Sequence, residues 1–170
     1  APPAAPAGDA GDRLPAMRLA EPFEALRERS DRILEATGRR PRIFLAAIGR
    51  PAEHAARLAF AANLFAAGGI EPVESAPLTS PEEAAAAFAT SGAAIACLCG
   101  ADAAYGESAE AMARSLSAAG SRHIFLAGRP GDSETALRTA GITSFVFAGC
   151  DSLAALDEAY RSLDAGAGAA

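Results

Sequence analysis

The feature that most constrains the fold is a repeated alternation between short apolar runs and longer helical segments. The apolar runs are predicted strands at residues 42–48, 70–75, 93–98, 123–127 and 144–147. Helices are predicted at residues 53–67, 80–90, 107–119, 133–140 and 151–163. Continuous apolar strands joined by helices are typical of a parallel sheet that is covered on both faces. We therefore predict an α/β fold: a flavodoxin-like, doubly wound sheet of five parallel strands in the order 2-1-3-4-5.

The segment before the first strand divides into two parts. Residues 1–16 are rich in Pro, Ala and Gly and have no hydrophobic period, which predicts a linker or disordered arm. Residues 22–37 are predicted to form an amphipathic lead helix, with Pro22 at its first position and Gly38 as its stop. The predicted organisation is therefore a linker at 1–16, a lead helix at 17–39, the folded domain at 40–165 and a tail at 166–170. Because the chain begins with Ala, we expect it to derive from a longer protein with a domain upstream of the linker.

Composition excludes several classes of function. The net charge is −6 and there is no lysine, which opposes binding to nucleic acid through a basic surface. The arginines are scattered except for a cluster at Arg39, Arg40 and Arg42, which is expected to cap a helix and solvate a strand start. No apolar stretch is long enough for a transmembrane helix, and residues 1–16 do not resemble a signal peptide. The odd number of cysteines, two of them in an apolar run, favours a reducing compartment. We predict a cytoplasmic protein.

Ligands of parallel sheets bind outside the carboxyl ends of the strands, so the loops at 49–54, 99–106, 128–133 and 148–151 form the expected binding edge. None of these loops contains a G-x-G-x-x-G motif or a P-loop, which leaves a dinucleotide site unsupported. Asp102 stands at about the position of a receiver aspartate, but the chain has no lysine. A phospho-receiver function is therefore not predicted.

Two histidines and one tyrosine are the remaining candidates. His54 lies near the binding edge without a carboxylate or cysteine at metal-ligand spacing, so we expect a solvated or helix-capping side chain. His123 opens the fourth predicted strand, at the opposite edge of the sheet. Tyr105 is predicted to lie with Asp102 on the loop after the third strand, where it is a candidate contact for a ligand or partner. The residues alone predict no catalytic group and no metal ligand.

Four blocks of the sequence resemble the C-terminal domain of methylmalonyl-CoA mutase. They are MRLAEPFEALRERSD at 17–31, RRPRIFLAAIG at 39–49, CLCGADAAY at 97–105 and HIFLAG at 123–128. The AEPFEALR block, just after the Pro/Ala-rich segment, is the most specific. The resemblance covers residues 17–165 and implies a domain like the cobalamin-binding domain of that family, downstream of a TIM barrel.

Cobalamin-binding members of this family carry Asp-x-His-x-x-Gly after the first strand, where the aspartate orients the histidine that ligates cobalt. Small residues from Ser-x-Leu and Gly-Gly motifs leave space for the tail of the cofactor. Aligned on Gly49, the positions of these motifs in this chain are Pro51, Glu53, Ala56, Cys99, Gly128 and Arg129. Proline cannot orient a ligand, glutamate is poorly matched to a soft cobalt centre, and arginine fills space that glycine leaves. His54 is one residue from the ligand position, which rotates it by about 100° on a helix.

All three motifs differ from the pattern of the cobalamin-binding members. The chain therefore resembles the small-subunit branch of the heterodimeric bacterial mutases, which also shares Leu98, Cys99 and Tyr105. It implies a non-catalytic domain without a cofactor of its own. Its partner would be the large subunit, which binds adenosylcobalamin and converts methylmalonyl-CoA to succinyl-CoA. Two alternatives stay open: a cobalamin carrier with His54 as an unusual lower ligand, and a small flavodoxin-like domain that binds another ligand such as a flavin.

Overall fold

The computed structural model describes the backbone of residues 13–166 and the side chains from residue 20 onward. The strands are β1 (Arg42–Ala47), β2 (Glu71–Glu74), β3 (Ile95–Cys99), β4 (Ile124–Ala127) and β5 (Ser144–Val146). They form one sheet in the order β2-β1-β3-β4-β5, and every neighbouring pair is parallel. The predicted fold class and strand order are confirmed.

Helices connect the strands and cover both faces of the sheet. They are α1 (Arg13–Thr37), α2 (Pro51–Ala67), α3 (Pro81–Ser91), α4 (Asp102–Ala118), α5 (Glu134–Thr139) and α6 (Ser152–Asp164). Two predicted helix starts have the expected side-chain caps. Ser80 Oγ accepts a hydrogen bond from the Glu83 N–H at 3.2 Å, and Asp151 accepts one from the Ala154 N–H at 3.0 Å.

The lead helix begins earlier than the sequence pattern predicts. Because α1 starts at Arg13, Pro22 lies inside the helix, and the last residues of the predicted linker are helical. Proline removes one backbone hydrogen bond, but the Leu, Ala, Met and Arg residues before it are strong helix formers. Residues 1–12 and 167–170, which hold the rest of the predicted linker and most of the predicted tail, lie outside the described residues.

Helix α4 also begins earlier than predicted, at Asp102 and not at Glu107. Tyr105 and Gly106 therefore belong to its first turns and not to a loop. A glycine inside a helix costs about 1 kcal/mol relative to alanine, and here two preceding alanines and the burial of Tyr105 offset that cost. Helical side chains tilt toward the helix N-terminus, so this position directs Tyr105 back toward the strand ends.

The core has one apolar layer on each face of the sheet. Alternation along β1 directs Phe44 to the layer under α3 and α4, and Ile43 to the layer under α1, α2 and α6. Strand β3 is completely buried along its whole length. The continuous apolar runs in the sequence arise because both faces of these strands are covered.

Helix α1 is part of the folded unit and packs near the edge of the sheet where the strands begin. The Tyr160 hydroxyl lies 2.7 Å from the Gly68 carbonyl and 3.2 Å from the Leu26 carbonyl. Ser30 donates to the Gly69 carbonyl at 2.6 Å. These bonds attach α1 to the C-terminal end of α2 and to α6, which leaves the opposite edge of the sheet uncovered by the lead helix.

Candidate functional site

The candidate site lies at the edge of the sheet where the strands end. The loops that follow β1, β3, β4 and β5 meet there, together with the first turns of α2 and α4. We call this set of loops and helix turns the rim. Parallel α/β sheets bind their ligands at this edge, so a predicted site residue can contact such a ligand only if its side chain lies at the rim.

In the first loop of the rim, the Glu53 carboxylate caps the start of α2. Arg50 is the N-cap of α2, and Glu53 accepts hydrogen bonds from the Arg50 N–H and from its guanidinium, both at 2.9 Å. The hydrogen bond from the Arg50 side chain holds the pKa of the Glu53 carboxyl below its ordinary value. Pro51, at the first position of α2, is exposed. Glu53 therefore serves the helix start, and Pro51 supplies no proton acceptor.

His54 is buried, which overturns the prediction of a solvated or helix-capping histidine. Its side chain is on the inner face of α2, in line with the core residues Ala61 and Phe65, and only 5% of the residue is exposed. Its Nδ1 atom is buried and has no hydrogen-bond partner. The helical period explains the difference, because positions 54, 61 and 65 fall on the face that packs against the sheet.

The buried Tyr105 side chain forms hydrogen bonds at the ends of strands β3 and β4. Its hydroxyl accepts a hydrogen bond from the Gly100 N–H at 2.8 Å and lies 2.6 Å from the Ala127 carbonyl, to which it donates. Burial raises the pKa of the Tyr105 hydroxyl well above its ordinary value. The Tyr105 hydroxyl is thus bonded to the backbone at the ends of β3 and β4, and its role as a contact for a ligand or partner stays a prediction.

Arg57 fills the space between the ends of β3 and β4. Its guanidinium donates to the Gly100 carbonyl at 2.8 Å, forms an ion pair with Asp102 at 2.8 Å, and lies 5.3 Å from the centre of the Tyr105 ring. A Cβ atom added to Gly128 would come within 3.2 Å of the Arg57 guanidinium carbon. Gly128 also has φ of +146°, a conformation that favours glycine. We call this space between the ends of β3 and β4 the slot, and Arg57 and Tyr105 together close it with protein atoms.

An open cleft of about 520 Å³ remains beside the closed slot. We call it the rim cleft; it is lined by Ala56, Arg57, Phe60, Asp102, Ala127, Gly128, Arg129, Val146, Phe147 and Ala148. Arg129 is exposed, and its guanidinium carbon lies 4.3 Å from the centre of the Phe147 ring. Its side chain therefore lies across a neighbouring aromatic ring at the wall of the cleft.

Cys99 faces the core and not the rim. Its thiol is buried and lies 4.0 Å from the sulfur of Cys97 on the same strand. Burial raises the pKa of the Cys97 thiol well above its ordinary value. Both thiols are free and buried, and the raised pKa of Cys97 opposes the thiolate form that metal binding or nucleophilic chemistry needs at that residue.

The structure brings Tyr105, Gly128 and Arg129 to the rim but not His123. His123 lies at the opposite edge, as predicted, where it bonds to two serine hydroxyls at 2.9 Å each.

Within residues 13–166, no group of three or more His, Cys, Asp and Glu residues has the arrangement of a metal site. None of the helices in that range is long and apolar enough to cross a membrane.

Arg57 is the rim residue that the sequence analysis missed. It stands inside an alanine-rich helix with no motif around it, and its partners come from segments more than forty residues later in the chain. The one available signal is its spacing from Ala61 and Leu64, which places it on the side of α2 that faces the sheet.

The fold and the rim define a flavodoxin-like α/β domain whose rim side chains are largely bonded to one another. Among solved structures, the receiver domain of a sensor histidine kinase from Pseudomonas aeruginosa is similar, with a TM-score of 0.51 and 10% sequence identity. The similarity covers 73% of this chain and 98% of the receiver domain, and it extends to the fold alone. No family model matches the chain.

The similar curated proteins are methylmalonyl-CoA mutase small subunits. The chain is 53% identical to the small subunit of Streptomyces virginiae over 154 residues, which is 91% of this chain. It is 40% identical over 126 residues to a probable small subunit of Mycobacterium tuberculosis and 33% identical over 123 residues to that of Propionibacterium freudenreichii. The chain is thus homologous to a segment of these small subunits and spans 18% to 23% of their length. This confirms the resemblance stated from the sequence.

Proposed function

We propose that this chain is a structural domain of the small subunit of a methylmalonyl-CoA mutase and that it does not bind cobalamin itself. The isomerisation of methylmalonyl-CoA to succinyl-CoA then takes place in the large subunit, which holds adenosylcobalamin. The names of the homologous small subunits support the assignment to this subunit. The buried free thiols of Cys97 and Cys99 fit a reducing cytoplasm.

The closed slot at the rim is the observation that carries this proposal. In the family pattern, small residues at the ends of the third and fourth strands leave room for the cofactor tail. Here the guanidinium of Arg57 is bonded to the Gly100 carbonyl and to Asp102 in that space, and Tyr105 bridges the two strand ends behind it. A bound tail would have to displace Arg57 and leave the buried Gly100 carbonyl without its hydrogen bond, at a cost of about 1–3 kcal/mol. The ion pair with Asp102, whose side chain is largely exposed, adds little to this cost.

The residues at the cobalt-ligand positions do not fit the cofactor either. The Glu53 carboxylate is already hydrogen bonded to Arg50, and a carboxylate is a hard oxygen donor. Pro51 stands where an orienting aspartate is needed and has no group to accept a proton. We therefore assign no chemical step to this chain.

Absorption spectroscopy with hydroxocobalamin tests the proposal. We expect that titration of the purified chain leaves the cobalamin spectrum unchanged and that dialysis removes all of the cofactor. Arg57→Ala serves as a matched variant, because it opens the slot while leaving Glu53 and His54 in place. Retention of cobalamin by the unaltered chain would refute the non-binding part of the proposal.

The subunit assignment has its own test. We expect the full small subunit that contains this segment to co-purify with a large mutase subunit through size-exclusion chromatography. Failure of the two full-length subunits to associate would count against the assignment, whatever the cobalamin titration gives.

One observation favours a second candidate function, that of a cobalamin carrier. The Nδ1 atom of His54 is buried without a hydrogen-bond partner, which is unusual for a histidine that is purely structural. In this alternative the His54 imidazole would supply the lower ligand of cobalt, which would require a local opening of α2 because the residue is buried. A histidine-ligated cobalamin spectrum that disappears in His54→Ala and persists in His123→Ala would establish it.

A further inference from the structure

The two edge strands of the sheet differ in how well they are protected against pairing with a further strand. Strand β2 forms one edge with the sequence Glu-Pro-Val-Glu, in which Pro72 lacks an N–H and a glutamate stands at each end. Proline and charged residues are common devices that keep an edge strand from pairing. Strand β5 forms the other edge; it is short, but its sequence Ser-Phe-Val contains neither proline nor a charge. The β5 edge is therefore the one that can accept another strand.

A groove of about 530 Å³ lies along the outer edge of β5. Helices α5 and α6 form its two walls, because they pack on opposite faces of the sheet and both contribute lining residues. We call it the edge groove, and its lining includes Glu134, Arg138, Ser144, Phe145, Asp151 and Glu158. None of the cofactor-motif positions of the family lines it. The edge groove is therefore a different site from the one where the family binds its cofactor.

The edge groove carries uncancelled negative charge. Glu134 and Arg138 form an ion pair at 3.0 Å, so their charges cancel. Asp151 has no cationic side chain within ion-pair distance among the described residues. Glu158 has only His123 at that distance, and because burial lowers the pKa of His123 its imidazole is neutral at pH 7. The groove thus presents two carboxylates, which attract guanidinium or ammonium groups.

The two walls of the edge groove differ in polarity. Asp151 and Glu158 are seven residues apart on α6, which separates them by about 10 Å along the helix. Side chains on one face of a strand repeat about every 7 Å, so two long basic side chains at alternate positions of an added strand can reach both carboxylates. The residue between them points to the other wall, where Phe145 lies. Arg138 covers only the beginning of the edge, where it lies over the Phe145 ring and donates to the Thr143 carbonyl at 2.8 Å.

We propose that the edge groove binds an extended segment of a partner chain in which basic residues alternate with apolar ones. The backbone of the segment adds to β5 as a further strand, and its basic side chains pair with Asp151 and Glu158. In complexes that extend a sheet, backbone hydrogen bonds supply affinity and alternate side chains supply specificity. This inference goes beyond the proposed function and does not depend on it, since the groove shares no residue with the closed slot.

Fluorescence polarisation with a rhodamine-labelled peptide, acetyl-RVRVRV-amide, tests the proposal on the purified chain. We expect a Kd of about 0.1 mM or tighter. The same peptide with citrulline in place of arginine keeps the shape without the charge and is expected to bind at least about fivefold more weakly. Two further peptides are methylated on the backbone nitrogens of either the valines or the arginines. Methylation blocks pairing along one edge of the peptide, so one of the two is expected to bind at least about tenfold more weakly.

Two substitutions in the groove remove charge while keeping the native hydrogen bonds. Glu158→Gln can still accept from Ser144, and Asp151→Asn can still cap α6. Each is expected to weaken peptide binding about two- to fivefold. Glu82→Gln makes the same change of charge at an exposed position of α3 and is the matched control, which we expect to leave binding unchanged. Circular dichroism of each variant checks that the fold is kept.

Cys150 reports where the peptide binds. It lines the edge groove and is partly exposed, whereas Cys97 and Cys99 are buried. We expect saturating peptide to slow the alkylation of Cys150 by N-ethylmaleimide, and the citrulline peptide at the same concentration to have a smaller effect. A Cys150 thiol that reacts at the same rate with and without bound peptide would place the peptide elsewhere and overturn the proposal.

Four further results would overturn the proposal. They are no binding of the arginine peptide at about 1 mM, equal binding of the citrulline peptide, unchanged binding in both Glu158→Gln and Asp151→Asn, and a dimer of this chain that the peptide dissociates, which would make a second copy the occupant. None of these outcomes alters the cobalamin spectrum or the subunit association on which the proposed function is tested, so the two proposals fail separately.

Discussion

His123 gives the most direct prediction about stability, because its imidazole joins three elements in a buried site. Its Nδ1 atom lies 2.9 Å from the Ser162 hydroxyl on α6, and its Nε2 atom lies 2.9 Å from the Ser144 hydroxyl on β5. Ser144 in turn donates to the Glu158 carboxylate, which lies 3.8 Å from Nε2. The imidazole also lies against the ring of Phe125, with the ring centres 4.2 Å apart.

Burial lowers the pKa of His123 below its ordinary value, although the Glu158 carboxylate acts in the opposite direction and Arg161 adds to the lowering. The unfolded chain therefore binds a proton at a pH where the folded chain does not. The stability that neutral His123 contributes is fully present above a pH of about 6.5 and is lost as the pH falls toward the folded pKa. The slope of this loss is at most about 1.4 kcal/mol per pH unit for one proton.

Urea unfolding followed by far-ultraviolet circular dichroism measures this effect in a chain that has no tryptophan. We expect wild-type stability to fall between about pH 6.5 and 5.5, by at most about 1 kcal/mol, and His123→Asn to lack that decrease. At about pH 7.5 the variant is expected to be less stable by about 1–3 kcal/mol, because two serine hydroxyls lose a partner. His54→Asn removes the other histidine, so the imidazole resonance that remains in its NMR spectrum reports the pKa of His123. Parallel pH curves for wild type and His123→Asn, or a measured pKa at or above about 6.5, would refute the reasoning.

Three further substitutions test the packing of the domain, each by the urea midpoint. Tyr105→Phe leaves the Gly100 N–H and a strand-end carbonyl without their partner, and we expect a loss of about 2–4 kcal/mol. Gly68→Ala places a Cβ atom 2.6 Å from the Leu156 side chain, and the overpacking is expected to cost about 1–3 kcal/mol. Ser80→Ala removes the N-cap of α3 and is expected to cost about 1 kcal/mol. A urea midpoint equal to that of wild type would contradict the stabilising role assigned to the corresponding contact.

The sheet was predictable from the sequence because its strands are buried on both faces. Every residue of Ile95–Cys99 is buried, so the run is apolar without interruption and stands out from the helices on either side. Helix starts were less predictable where no capping residue marks them. The N-cap of α4 is Ala101, which makes no side-chain hydrogen bond, and the start of that helix was therefore placed too late.

The rim was only partly predictable, because its arrangement depends on contacts between distant segments. The sequence identified Glu53 and Arg129 as departures from the family pattern, and neither prediction needed a structure. It could not identify Arg57 as the group that fills the slot, since its partner carbonyl at Gly100 is forty-three residues away. The burial of His54 was readable in principle, because the residue shares a helical face with Ala61 and Phe65, and the prediction overlooked that period.

The rim residues also explain how a domain of this fold can remain stable when the positions for a cofactor have diverged. An empty slot between two strand ends would leave the Gly100 N–H and the carbonyls of Gly100 and Ala127 poorly satisfied, and each such group is costly when buried. Arg57 and Tyr105 supply partners for all three from within the chain. The side chains that close the slot are thus the ones that complete the ends of β3 and β4. If the domain binds no cobalamin, as we propose, then the absence of cofactor contacts and the presence of these internal hydrogen bonds are linked, and a cobalt ligand introduced at position 53 alone is expected to leave the slot filled.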